Sequence, residues 1–382
     1  MDRYTKRKRV ETALNHIEPD RVPCDITIAP DAYANLCDRL GEKFEPYTWD
    51  DWNHAYPSVE VLEKLGIDIY HVDIGTDPEG FTIESIEFKD AWGVTKRRVE
   101  SEKGFMYCLV DTPLSYAQTV EEIDAWPWPE PDQIVNLTDD LVNEIKHLYN
   151  NTDFALTATF GGNIQERSHF LIGMDNWLMN FYMNPDLNCA LFEKIQGIQM
   201  QVDQMVIEKI GEYLTYFRFN GEDVGTQTGP LYSPDQFEQY TRPYIEKEWK
   251  TAKELFVKKN PDGKIAIHSC GSVDRFIPKF IEMGADILNP VQPNVDGMET
   301  DVIGPEYGDK ICFHGSVNTQ DVLERGTREI VRDEVKNRIR DLGPGGGFLI
   351  APSHNVQVSV PVENVITMYE AVREFGAYPL TF

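Results

Sequence analysis

The chain has 382 residues, 41% of them hydrophobic, enough for a substantial core. Its 64 acidic against 36 basic residues give a net charge of −28, which repels polyanions and argues against nucleic acid as a partner. No run approaches the ~18 apolar residues of a membrane span, so the expected setting is cytoplasmic. The N-terminal Met1–Arg9 is charged and lacks a following apolar stretch, so it does not read as a secretion signal. Six scattered cysteines (24, 37, 108, 189, 270, 312), none in a CxxC pair, fit reduced thiols and disfavour a disulfide framework or zinc ribbon.

In chain order, Thr5 to His16 has helical spacing, and Asp20-Arg-Val-Pro23 breaks it. Cys24 to Ile28 reads as a short strand, Asp31 to Leu40 as a helix, Val59 to Leu65 as a helix stopped by Gly66, and Ile67 to Ile74 as a strand. Phe81 to Phe88, Trp92 to Val99 and Phe105 to Val110 are short and β-rich, which predicts an antiparallel insertion over about 80–112. The rigid Trp126-Pro-Trp-Pro-Glu-Pro131 stretch closes it.

Strands then alternate with helices. Strands are expected at 154–160, 214–219, 264–268, 286–289, 311–314 and 347–351. Helices are expected at 139–149, through most of 165–212, at 234–258, 273–283, 327–342 and 362–375. This alternation implies a parallel sheet. With strands at 22 and 67 the count is eight, the number that closes an α/β (β/α)8 TIM barrel, here as one domain over 1–382. No GxGxxG follows the first strand, which lowers the weight of a dinucleotide fold.

In such a barrel the chemistry collects at the C-terminal strand ends. Four of the eight histidines fall there: His71, His268, His314 and His354. In Ile265-Ala-Ile-His-Ser-Cys-Gly-Ser272 a strand places His268 and Cys270 on one face, half of a zinc site. His354, in the turn Ala351-Pro-Ser-His-Asn355, is the expected third metal ligand, leaving one position open; the alternative is a loop-capping histidine. Glu222 and Asp223 are the other candidates for that place, or one of them is a general base. Asp73 is a candidate catalytic carboxylate, or a group bonded to its own loop. Asn163, Asn220, Gln292 and His314 are candidates for substrate binding. Aromatic residues near the mouths, Phe160 and Phe219 among them, suit a flat organic pocket.

These stretches together resemble the uroporphyrinogen decarboxylase superfamily over essentially the full length. The resemblance is carried by Gly66-Ile-Asp-Ile-Tyr70 with Asp73 following, Gly221-Glu-Asp-Val-Gly-Thr-Gln-Thr-Gly-Pro230, His268-Ser-Cys-Gly-Ser272 and Ala285-Asp-Ile-Leu-Asn-Pro-Val-Gln-Pro293. Phe313-His-Gly315, Gly346 to Asn355 and Pro361-Val-Glu-Asn364 complete it. It implies a (β/α)8 barrel and two functional branches.

The decarboxylase branch is metal-free and grips its substrate with an N-terminal Arg-Gln-Ala-Gly-Arg stretch. Here Asp25-Ile-Thr-Ile-Ala-Pro-Asp31 stands in that region, without arginine, although Asp73 sits where that branch keeps an essential carboxylate. The corrinoid-dependent methyltransferase branch binds zinc through His-x-Cys and a third ligand, commonly Cys, after the last strand. His268 and Cys270 match, and His354 occupies the third place. The resemblance implies a demethylase that passes a methyl group from a methoxylated or otherwise methylated small molecule to a corrinoid protein, with zinc as metal and the corrinoid (cobalamin) supplied in trans. A barrel that binds a corrinoid protein or ligand without chemistry is a third reading, and a homodimer is compatible with all three.

Overall fold

A computed structural model of the chain describes residues 3–44, 54–76, 85–101 and 104–382. Its strands are β1 (Ile69–Val72), β2 (Glu87–Lys89), β3 (Thr95–Ser101), β4 (Gly104–Asp111), β5 (Ala155–Gly162), β6 (Tyr216–Gly221), β7 (Lys264–His268), β8 (Ile287–Val291), β9 (Cys312–Val317) and β10 (Phe348–Pro352). Seven of them form a parallel sheet in the order β1-β5-β6-β7-β8-β9-β10, with helices in the crossovers. β2, β3 and β4 form a separate antiparallel sheet. Of the first expected insertion strand, residues 81–84 lie outside the described residues.

The eighth expected strand, Cys24 to Ile28, is present only as an irregular stave. Asp25 N donates to Ile350 O (3.0 Å) and Asp68 N to Cys24 O (3.0 Å), so the segment lies between β10 and β1. The parallel pairs Cys24–Ile350 and Ile28–Val356 are single bridges. Two features stop a regular ladder here. Pro23 has no N–H, and the Asp25 side chain takes the Ile26 N–H itself (2.8 Å).

A buried ion cluster pins this stave at the bottom of the barrel. Asp68 accepts from Arg9 Nη1 and Arg21 Nη1, both at 2.7 Å, and from Cys24 N at 2.9 Å. Arg9 Nε also meets Asp20 Oδ1 at 2.7 Å. Burial alone would raise the Asp20 carboxyl, but Arg9 and the N–H groups of Tyr4 and Arg3 lower it to about 2. A carboxylate depressed in the fold stabilises above its unfolded value of 3.8, and loses that contribution as pH falls toward 2. Asp20 is therefore expected to contribute about 2 kcal/mol near neutrality. Urea unfolding between pH 5 and pH 2 checks this. Asp20→Asn should flatten the acid limb, and an unchanged limb would contradict the assignment.

Helix Lys6–Leu14 begins where the Thr5 hydroxyl accepts from Lys8 N, and it plugs the barrel floor. Its Val10, Ala13 and Leu14 pack with Ile69, Ala155, Tyr216, Ala266, Ile287, Cys312 and Leu349, one residue from each of the seven strands. Strand side chains repeat every second residue. The next inward positions, two residues further along five of these strands, are therefore His71, Arg218, His268, Asn289 and His314. The barrel interior changes from apolar to polar in one step.

The helix expected over 234–258 is interrupted. Pro234–Gln236 is followed by a wider turn over Phe237–Thr241, and the regular helix is Arg242–Lys259. Pro243 lacks the N–H an uninterrupted helix would need at that position.

Candidate metal centre

Two mouth loops are laced together, and this lacing builds the site. Glu222 N donates to His268 O (2.8 Å), Ser272 N to Thr226 O (2.9 Å) and Val224 N to Ser269 Oγ (3.2 Å). The approach is so close that a Cβ on Gly271, which has φ +85°, would lie 2.8 Å from the Gly225 carbonyl carbon. Asp223 is thereby held against the His-x-Cys turn. Its Oδ1 accepts from Cys270 N at 2.7 Å, and its Oδ2 lies 3.2 Å from Cys270 Sγ. The His268 Nε2–Asp223 Oδ1 distance is 3.9 Å. One ligand atom from each of Asp223, His268 and Cys270 falls within 4.8 Å of the others.

The tautomer of His268 follows from its neighbours. Arg218 Nη1 donates to Asn289 Oδ1 (3.2 Å), and a guanidinium only donates, so this amide atom is the oxygen. His268 Nδ1, 2.8 Å from the same oxygen, therefore carries a hydrogen, and Nε2 keeps its lone pair toward Asp223 and Cys270. Burial lowers the His268 imidazole to about 4, against the pull of Asp223, so the ring is neutral at pH 7. Burial and the Asp223 carboxylate push the Cys270 thiol up. Burial opposes the charge on Asp223, but His268 and the Cys270 N–H hold it below the usual carboxylate range. A neutral imidazole, a thiol whose proton a cation can displace and an ionised carboxylate form a donor set that fits zinc.

Asp223 and His268 lie on the wall of a cavity of about 860 Å³ that also reaches His54, His71, Asp73, Trp92, Phe160, Phe170, Arg218 and His354. The antiparallel insertion contributes part of its roof: Arg167 Nη1 pairs with Asp90 at 2.7 Å, and the Arg167 guanidinium carbon lies 5.1 Å from the Trp92 ring centre.

A family profile described as uroporphyrinogen decarboxylase (URO-D) matches residues 113–375. The chain belongs to the uroporphyrinogen decarboxylase family. Among solved structures, a methyltransferase from Methanosarcina mazei aligns over 97% of this chain and 99% of its own, with a TM-score of 0.62 and 17% identity. At that identity the likeness is one of fold. Looser alignments join the GH53 catalytic domain of Ignisphaera aggregans (10% identity, 87% and 84% coverage, TM-score 0.38) and D-psicose 3-epimerase from Clostridium cellulolyticum H10 (11%, 62% and 83%, 0.38). The comparison with curated proteins returned no match.

Within this family barrel the expected site residues separate. His268 and Cys270 come together as expected. His354, expected as third ligand, stands outside the group, with its ring centre 6.4 Å from that of His268. Asp223 completes the compact group instead, because the loop lacing brings it there. Burial and nearby His54 lower the His354 imidazole, so it too is a neutral ring on the cavity wall.

Glu222, expected as a catalytic carboxylate, faces away. Its oxygens accept from Ile164 N (2.6 Å) and Gln165 N (3.0 Å), capping helix Ile164–Ile172. Gln292 is spent on the Gly271 N–H (3.1 Å), and His314 is buried behind Asn289, so neither lines the cavity. Asn163, Asn220 and Asp73 do line it. Asp73 Oδ1 accepts from Gly75 N in its own loop (3.0 Å), and Asn220 Nδ2 donates to Gly161 O (2.9 Å). Asn163 keeps a buried Oδ1 without a protein partner among the described residues.

Sequence reasoning passed over Glu166, Arg218 and Asp25. Glu166 lies beside Asp223 on the cavity wall, where burial and the Asp223 and Glu222 carboxylates raise it well above the usual range. Its only signal was helical position, one turn into the helix after the Gly161-Gly162 turn. Arg218 and Asn289 were readable by carrying the strand alternation of Ala266-Ile-His268 over to Tyr216-Phe-Arg218 and Ile287-Leu-Asn289.

Proposed function

We propose that the protein is a zinc-dependent methyltransferase. It moves a methyl group from a methoxylated or otherwise methylated small molecule to a corrinoid carried by a separate protein that docks over the barrel mouth. The observation that carries this reading is the Asp223–His268–Cys270 group with His268 Nε2 freed by Asn289. Zinc held there supplies Lewis acidity. The cavity volume of about 860 Å³ falls within the ~300–1,000 Å³ of small-molecule sites, and the walls at Trp92, Phe160 and Phe170 suit a flat ring. The name of the Methanosarcina mazei neighbour lends support to the transfer chemistry. His354, Asn163, Asn220 and Asp73 then surround the methyl donor.

A metal-free decarboxylase is less well supported. On the cavity wall Asp73, Asp90, Glu166 and Asp223 outnumber Lys89, Arg167 and Arg218, and Arg167 is paired with Asp90, a poor match to a polycarboxylate substrate.

The test uses purified protein, a methoxylated benzoate and free cobalamin reduced to the cobalt(I) state, followed by absorbance. Stripping the metal with a chelator is expected to lower transfer at least about 10-fold, and stoichiometric zinc should restore it. Full transfer by stripped protein would overturn the zinc assignment. Turnover of uroporphyrinogen by stripped protein would move the chain to the decarboxylase branch.

A further inference from the structure

The polar layer above the barrel floor holds a second cluster that the metal centre does not use. Asp25 is fully buried. His71 Nε2 lies 2.9 Å from each of its oxygens, and His314 Nε2 lies 3.0 Å from Oδ2. Burial pushes the Asp25 carboxyl up, but the two rings more than reverse this and keep it ionised. Among the described residues no lysine or arginine pairs with it. A buried carboxylate is stabilised by N–H donors and by positive charge: Asp25 also accepts the Ile26 N–H (2.8 Å), and the groups that could add the charge are these two rings.

The hydrogen bonds decide between them. Because Arg218 fixes the Asn289 oxygen on its own side, Asn289 Nδ2 must face His314, and it donates to His314 Nδ1 at 2.7 Å. His314 Nδ1 is therefore a lone pair, and that ring is neutral with its hydrogen on Nε2. That leaves His71 as the ring of the two that can carry hydrogen on both nitrogens. Of the two rings, His71 is the one on the cavity wall, and with Nε2 engaged by Asp25 its remaining nitrogen is Nδ1.

We propose that His71, held by Asp25, is the acid that protonates the heteroatom released when the methyl group leaves the substrate. This rests on the methyl-transfer reading above. For a methyl ether, the methyl–oxygen bond breaks and its electron pair stays on oxygen, which takes the His71 Nδ1 proton. The methyl carbon bonds to the electron pair of the acceptor, a reduced corrinoid. The product alcohol or phenol leaves, and solvent returns a proton to His71. Asp25 is a positioning residue, and Asn289 serves both halves of the site by fixing the His268 and His314 tautomers.

The test compares zinc-loaded wild type with His71→Gln, and separately with Asp25→Asn, on ring-substituted methoxybenzenes of graded phenol acidity, with reduced cobalamin as acceptor. An acid contributes most where the leaving group is poorest. His71→Gln is expected to lose about 100-fold or more on the least acidic phenol and no more than about 3-fold on a nitrophenol. Zinc content should be unchanged. Asp25→Asn should steepen the same dependence. A uniform loss across the series, or none, overturns the role of His71 while leaving the methyl-transfer reading intact. Wild type that turns over no member of the series overturns both.

Discussion

His268→Ala is expected to bind zinc more than about 100-fold more weakly than wild type, and to lose methyl transfer in step. Loss of an outer partner alone typically costs 10–100-fold, and the proposed site makes His268 a direct donor. The geometry also ranks the neighbours. Asn289→Ala should weaken zinc by about 10–100-fold, since without the amide oxygen 2.8 Å from Nδ1 the ring no longer holds Nε2 free. His354→Ala should weaken it least, since its ring stands outside the compact group. Competition with a chromophoric zinc chelator reads all three. If His354→Ala loses as much zinc as His268→Ala, Asp223 is not the third ligand.

Asp68→Ala is expected to destabilise the fold by about 3–5 kcal/mol, the scale for removing one partner of a buried ion cluster. It leaves Arg9 and Arg21 facing one another without the carboxylate both contact at 2.7 Å. Arg9 keeps Asp20, so its charge is partly compensated; Arg21 also bonds the Val22 and Gly66 carbonyls, which carry no net charge. The effect should extend to the site. Asp68 also receives the Cys24 N–H, and the next residue is Asp25. Freed from this anchor, the stave would shift Asp25 against His71 and His314. Urea unfolding measures the first effect. A loss below about 1 kcal/mol would mean that backbone pairing alone holds the stave.

The barrel was legible because its strands are continuous apolar runs separated by helical patterns, and β7 and helix Val362–Phe375 fall where the pattern puts them. Cys24 to Ile28 carries the composition of a strand but not its ladder, since Pro23 and the Asp25 side chain remove two N–H groups from it. The break at Pro243 was written in the sequence and lost within a long amphipathic pattern. In the site, His268 and Cys270 followed from strand alternation. The choice between Glu222 and Asp223 did not. Only hydrogen bonds to a loop some 45 residues distant decide which of the two meets His268 and Cys270. His354 was favoured because it follows the last strand, a relation of chain order; that Asp223 and not His354 completes the compact group is a relation of space.

The most direct test of the metal centre is the zinc X-ray absorption spectrum of the purified protein. One sulfur at about 2.3 Å together with nitrogen and oxygen at about 2.0–2.2 Å is the expected first shell. A shell without sulfur, or protein that retains no zinc after dialysis, would contradict the assignment of Asp223, His268 and Cys270.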